Sequence, residues 1–250
     1  MTMTLAYDTG LSRVRVSVTG LAGVTTVERS ADLVRWTTVR GGVSLTPTGG
    51  TISIDDYEFT PDVANTYRAS GQTATITPAI DSVWIKSLAR PFLNRPVRVV
   101  GWDDTTRPAR AGVFDIIGRS MPVAVTEVRG SRRWSIDILT LTRDEATDID
   151  MLAASGDTVL VQVPSTWPSR GGYVAIGDTT EAHPQRGSIE RLWTLPLTEV
   201  AAPGPDVVGA SSTWQTVING YSRWQDVITA KPRWADLLEL VGNPTDVIVS

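Results

Sequence analysis

The 250-residue chain contains no cysteine and only one histidine, His183. Without cysteine there are no disulfides, no thiol chemistry and no cysteine-ligated metal. One histidine and no thiolate leave no set from which a metal cluster of the usual kind is built. No run of about eighteen apolar residues occurs, so no segment reads as a membrane-spanning helix. The opening MTMTLAYDTG lacks a basic start followed by an apolar block, and no signal peptide is expected. Lysine is scarce as well. Lys86 and Lys231 stand among bases that are otherwise all arginine, a pattern that fits a GC-rich coding bias. A net charge of −4 speaks against general nucleic-acid binding.

A search for catalytic groups finds little. His183 lies in EAHPQRG, and no Gly-x-Ser-x-Gly turn accompanies it, so it reads as a loop residue and not as a triad base. The acid pairs Asp55-Asp56, Asp103-Asp104 and Asp144-Glu145 are adjacent in sequence. On a strand such neighbours point to opposite faces and make poor partners for acid–base work. Asp148 and Asp150, on a helix, stand about 200° apart. No glycine loop followed by Lys and Ser or Thr is present to cradle phosphate. VRGSRR is a compact basic turn, read as a hairpin corner with Gly130-Ser131 between two strands. The expectation is a protein that is not an enzyme, with no catalytic residue, cofactor or metal.

What the chain does have is β patterning in three parts. Residues 1–78 read as a small β-sandwich. RVRVSVTG places Val14, Val16 and Val18 on one face. VTTVERS, VRWTTVR, TISI and NTYRASGQTATITP follow, with turns every eight to twelve residues or so. Residues 79–203 read as a second, sandwich- or barrel-like β domain with one packed helix. Its strand candidates are RPVRVVGW, AGVFDIIG, MPVAVTEV, RRWSIDILTL, DTVLVQVP, GGYVAIGD and SIERLWTLPLTEV. In RRWSIDILTL, Trp134, Ile136 and Ile138 share a face and Asp137 takes the other. Pro196 argues for an edge strand or strand end at its position. TRDEATDIDMLAASG predicts a helix over about 143–154. Thr142 and Glu145 form its capping box, Ile149, Leu152 and Ala153 its buried stripe, and Gly156 its stop.

Charge is uneven along this second part. Lys86 to Arg133 is rich in arginine, whereas Trp134 to Val163 carries one base, Arg143, against Asp137, Asp144, Glu145, Asp148, Asp150 and Asp157. A solvated surface explains both runs. Opposed signs also suit a head-to-tail contact between copies, because complementary patches fix register.

AAPGPD, residues 201–206, is a Pro/Gly linker into the third part, residues 204–250, which holds three ten-residue units, STWQTVINGY, SRWQDVITAK and PRWADLLELV. Each carries a tryptophan followed by an aliphatic pair: Trp214 with Val217 and Ile218, Trp224 with Val227 and Ile228, Trp234 with Leu237 and Leu238. Ten residues leave successive tryptophans about 80° out of phase on one continuous helix, so a single tryptophan face cannot form. Gly220 and Pro232 break the run, and Ser212 and Ser222 offer caps. Three short helical pieces are expected. Isolated helices of that length are marginal in water and need a surface. The nine residues named are therefore candidate interface residues. Three destinations stay open: the chain's own body, a neighbouring subunit, or a sugar stacked on exposed tryptophans.

Two resemblances add to this reading. ERSADLVRWTTV and DDYEFTPDVANTYRA resemble a fibronectin type III-like module, which implies Trp36 as core tryptophan and Tyr67 as corner tyrosine. SVWIKSLARPFLNRPVRVVGW, RPARAGVFDIIGRSMPVAVTEVRGSRRWSI, GGYVAIGD and RLWTLPLTEVAAP resemble minor tail proteins of siphophages that infect actinobacteria, of the distal-tail or baseplate-hub type. That resemblance implies a virion protein at the tail tip, made in the host cytoplasm. It also implies a ring homo-oligomer, with a hexamer favoured, that contacts tail tube, tail-tip hub or receptor-binding proteins. DNA passes through such a ring without specific binding, and no membrane is involved. A bore that passes DNA is better lined with neutral or acidic groups, so most of the Arg90–Arg133 cluster is expected to point away from it. The competing expectation is a carbohydrate-binding adhesin that recognises host cell-wall glycan.

Overall fold

The computed structural model describes residues 1–185, 187–204 and 223–230. The chain is mainly β, as expected. Its first strands are β1 (Thr2–Asp8), β2 (Arg13–Thr19), β3 (Glu28–Ser30), β4 (Thr37–Thr38) and β5 (Thr51–Asp56). Then come β6 (Asn65–Ala69), β7 (Gln72–Ile76), β8 (Val83–Ser87), β9 (Arg95–Val97) and β10 (Val99–Trp102). After these lie β11 (Ala111–Phe114), β12 (Val123–Thr126), β13 (Arg133–Thr140), helix α1 (Arg143–Ala154) and β14 (Val159–Gln162). β15 (Gly172–Ile176), β16 (Thr180–Ala182), β17 (Arg191–Glu199) and helix α2 (Trp224–Ala230) complete the described elements. Packing divides the chain into two compact units whose limits differ from the expected 1–78 and 79–203. One unit holds Met1–Pro96, Val159–Gly171 and the described residues from Ala202 onward; the other holds Val97–Thr158 and Gly172–Ala201.

The first unit is built on a sandwich of two antiparallel sheets, β1-β2-β5 and β4-β3-β6-β7. Alternation in β2 does what its sequence predicts: Val14, Val16 and Val18 are fully buried, and Arg15 faces out to pair with Asp55 at 2.8 Å. Ser70 and Gly71 both take positive φ and close the two-residue turn between β6 and β7, the primed turn that matches strand twist. The core joins the β2 valines to Val27, Val39, Ile52, Phe59 and Tyr67. It also recruits Ile80 and Trp84 from beyond residue 78, which is why the unit outruns the expected boundary. β14 belongs here for the same reason, since it pairs antiparallel with β8 from Val159–Ser87 to Gln162–Trp84.

Trp36 is not the core tryptophan that the fibronectin-like resemblance implies. It is only half-buried, and the Arg68 guanidinium lies 4.0 Å from its ring centroid. Val39 is the inward residue of that stretch, and the large aromatic side chains of the buried cluster are Phe59, Tyr67 and Trp84. Tyr67 is fully buried, and its hydroxyl donates to Asp56 Oδ2 at 2.7 Å.

In the second unit β13 and β17 run antiparallel along their full length, flanked by β10 on one side and by β15 and β16 on the other. Trp134, Ile136 and Ile138 face the same way as Leu197, Leu195 and Trp193, and all six are buried. Ile149 and Leu152 of α1 supply buried side chains from the helix; Ala153 is only half-buried. The helix has the expected limits. Thr142 accepts a hydrogen bond from Glu145 N–H at 3.1 Å, and Gly156 follows the C-cap at φ +67°. The Glu145 carboxylate reaches back one residue further than a standard capping box, accepting from Leu141 N–H at 2.7 Å.

Pro196 does not mark an edge. It sits inside β17, paired with Ser135 on one side, and accepts from Gly177 N–H at 2.7 Å on the other. Within a strand residue the N and the C=O point the same way, so the missing donor of Pro196 faces the break between β15 and β16. No ladder bond is lost there.

Candidate assembly surface

Between β10 and β13 the chain leaves the sheet as a two-stranded ribbon. Its root is a pair of hydrogen bonds between Thr106 and Arg133, each 2.8 Å. Gly130 N–H donates to Pro108 O and Glu127 N–H to Arg110 O, both at 2.9 Å, carrying the pairing outward past the proline. β11 and β12 then pair from Ala111–Thr126 to Phe114–Val123. Gly112 makes room on its face for the Phe114 ring: a Cβ there would meet Phe114 Cε2 and Cζ at 2.9 Å. Near the tip Arg119 N–H donates to Ile116 O at 3.1 Å, and Gly118 at φ +87° occupies the third position of that turn. This is the left-handed position that a type II turn reserves for glycine.

Every residue from Val113 to Arg129 is exposed. On the outgoing side these include Val113, Phe114, Ile116 and Ile117, the last fully exposed. The returning side adds Met121, Val123, Val125 and Val128. Val113 and Phe114 are consecutive, so apolar groups stand on both faces of the ribbon. A single chain gains nothing from that arrangement. Contiguous apolar surface beyond a few hundred Å² is rare on monomers and marks a contact surface. At about 25 cal/mol per Å², covering such a ribbon supplies several kcal/mol toward association before entropy is subtracted.

The charged residues of the basic run fall into separate environments. Lys86 is fully buried in β8, where its ammonium donates to Ser12 O at 2.6 Å and Tyr57 O at 2.9 Å and lies 4.5 Å from the Phe59 ring centroid. Burial holds its pKa down to about 7. Arg132 forms a two-pronged pair with Glu199, at 2.7 and 2.9 Å, and these hydrogen bonds raise the guanidinium pKa and lower that of the carboxyl. Arg107, Arg110, Arg119 and Arg129 stand exposed on the ribbon beside Asp115 and Glu127. The acidic run includes Asp144, Glu145 and Asp150 on the exposed face of α1.

Of the nine tail residues singled out in the sequence, three lie within the described residues. α2 is a short helix, as expected of the middle unit. Val227 is buried, while Trp224 and Ile228 are 48% and 46% exposed, so the unit has one inward residue and not an inward triplet. Trp214, Val217, Ile218, Trp234, Leu237 and Leu238 lie outside the described residues, as do Gly220, Pro232, Ser212 and Ser222. His183 is exposed in the loop after β16. Among the described residues no cluster of three metal-ligating side chains occurs, and no helix is long and apolar enough to cross a membrane.

The ribbon is the exposed apolar surface that sequence reasoning missed, although AGVFDIIG and MPVAVTEV were both read as strands. Its signal is the failure of clean alternation around Val113-Phe114 and Ile116-Ile117. That pattern says only that both faces want cover. Compared with models of known protein families the chain matches none, and no curated protein is similar to it at a meaningful level.

Proposed function

We propose that this protein works by assembly, as a non-enzymatic structural component of a phage tail tip. It forms or joins a ring at the distal end of the tail tube and docks neighbouring tail proteins. The resemblance of residues 80–250 to minor tail proteins supports the setting. The observation that carries the assembly reading is the ribbon of β11 and β12, exposed along its length and apolar on both faces. Its partner is a second copy of this chain. The ribbon adds Arg110, Arg119 and Arg129 against two acids, and α1 presents three exposed acids beside Arg143, so one molecule carries both halves of a complementary pair. A contact between two different patches of the same chain closes into a ring when its rotation permits.

The test is the mass of the full-length protein in solution beside a variant with Ile116, Ile117 and Met121 all changed to serine. The native chain is expected as a discrete oligomer, seen by electron microscopy as rings with a central opening. The variant is expected as a folded monomer, because all three side chains are exposed and contribute little to the fold. A native chain that stays monomeric at every concentration overturns the reading. The half-exposed indole of Trp224 favours a second reading, a cell-wall glycan adhesin. Retention of the chain on host cell wall that is lost in Trp224→Ala, with the chain monomeric throughout, would establish that alternative.

A further inference from the structure

Beside α1 the second unit carries a groove of about 320 Å³, lined by Arg143 and Asp150 on the helix, Glu181 on β16, Arg191 and Trp193 on β17, and Ile189. That volume equals roughly ten waters at about 30 Å³ each, enough for a few side chains. Three features make it a prepared site. The Trp193 side chain is buried, yet among the described residues its indole N–H has no acceptor. A buried donor left unmatched is costly, so the Trp193 wall of the groove is incompletely satisfied in the single chain. Glu181 is already neutralised by Arg191 at 2.9 Å, and Arg191 also donates to Ser188 O and Glu190 O. Arg143 and Asp150 are seven residues apart on α1, hence on one face and about 10 Å apart along the axis. Among the described residues neither is in an ion pair, so the wall offers one positive and one negative charge.

The tip of the ribbon presents the converse. Asp115 precedes the turn Ile116–Arg119 and Arg119 ends it, both exposed, with the fully exposed Ile117 between them.

We infer that the groove beside α1 receives the ribbon tip of a second copy, with Arg119 meeting Asp150, Asp115 meeting Arg143, and Ile117 covering Ile189 and Trp193. The inference rests on the assembly reading and names the surface into which the ribbon inserts. Contacts of this kind are heterologous, each copy giving a tip and receiving one. Two opposed charge pairs fix the direction of insertion, since a reversed tip sets like charges together.

Charge exchange in the full-length chain tests it. Asp150→Arg alone and Arg119→Asp alone are each expected to weaken oligomerisation by about tenfold or more, read as the concentration at which the oligomer dissociates. Combining them in one chain restores the opposite pairing and is expected to return dissociation to near the native concentration. Recovery in the double variant supports the groove as receptor. Single variants that dissociate like the native chain, or a double variant no better than the singles, overturn the groove. If the triple serine variant of the tip is still monomeric in that case, the assembly reading stands with a different receptor. If that variant also keeps the native mass, both fail together.

Discussion

Lys86 shows what one residue can impose on this fold. Its ammonium is enclosed, donates to two carbonyls and lies against two neighbouring rings, and the charges of Asp56 and Glu58 offset only part of the cost of burial. Below pH 7 the folded and unfolded chains both hold the proton, and the folded chain bears the full cost of enclosing the charge. Between about 7 and the ordinary lysine value of 10.5 the folded chain has released its proton and the unfolded chain has not. The unfolded state then binds more protons, so stability rises with pH across that window. A gap of this size corresponds to a few kcal/mol in all. Tyr57 and Tyr67, raised by burial, give the opposite slope only above the ordinary tyrosine value of 10.0. Melting temperatures of the native chain and Lys86→Met, compared from pH 7 to pH 10, isolate the effect. The native curve is expected to climb relative to the variant, whose missing donor leaves two buried carbonyls unmatched at every pH. Parallel curves would show that the ammonium is not the cause.

At the level of single elements, helix α1 depends on its cap. Thr142→Ala removes the acceptor for Glu145 N–H and is expected to cost about 1 kcal/mol, read as a lower urea midpoint at unchanged slope. A loss under a few tenths would mean that Glu145, bonded to Leu141 N–H, holds the first turn by itself. Elements of this sort were legible in the sequence because local rules fix them. The α1 limits follow from Thr142 and Gly156, and the inward faces of β2 and β13 follow from period-two alternation. What escaped depends on partners that a period does not name. The fibronectin-like resemblance implies Trp36 as core tryptophan, and nothing local says that the buried aromatics are Phe59, Tyr67 and Trp84. Proline rules say that Pro196 wants an unpaired side, and the break between β15 and β16 provides one inside a central strand. The ribbon reads like a buried strand pair because apolar residues on both faces look the same whether the cover is the chain's own or a neighbour's. Lys86 reads as surface charge, since nothing local reveals the two carbonyls that hold it.

For the whole molecule, sequence order and packing order diverge. The first unit takes residues from three stretches of chain, so a cut at the compositional boundary near residue 78 divides a core and does not fall between two. Residues 1–78 alone lack Ile80 and Trp84, both part of the buried cluster, and lack the Lys86 contacts to Ser12 and Tyr57. They also lack Gln162, whose amide donates to Phe59 O. Uncovering two large apolar side chains removes roughly 3–6 kcal/mol of burial, comparable to the whole stability of a small domain. A fragment of residues 1–78 is therefore expected to show little cooperative unfolding in urea, while the full chain unfolds in a steep transition. Restoring 79–96 returns Ile80, Trp84 and Lys86 but leaves β8 without its β14 partner, and stability should return only in part. A 1–78 fragment as stable as the full chain would mean that the seven-strand sandwich is self-sufficient and that β8 and β14 are additions to a finished core. Ranking the three proteins by urea midpoint decides between these, because the packing requires the order full chain, 1–96, 1–78 and a self-sufficient sandwich requires none.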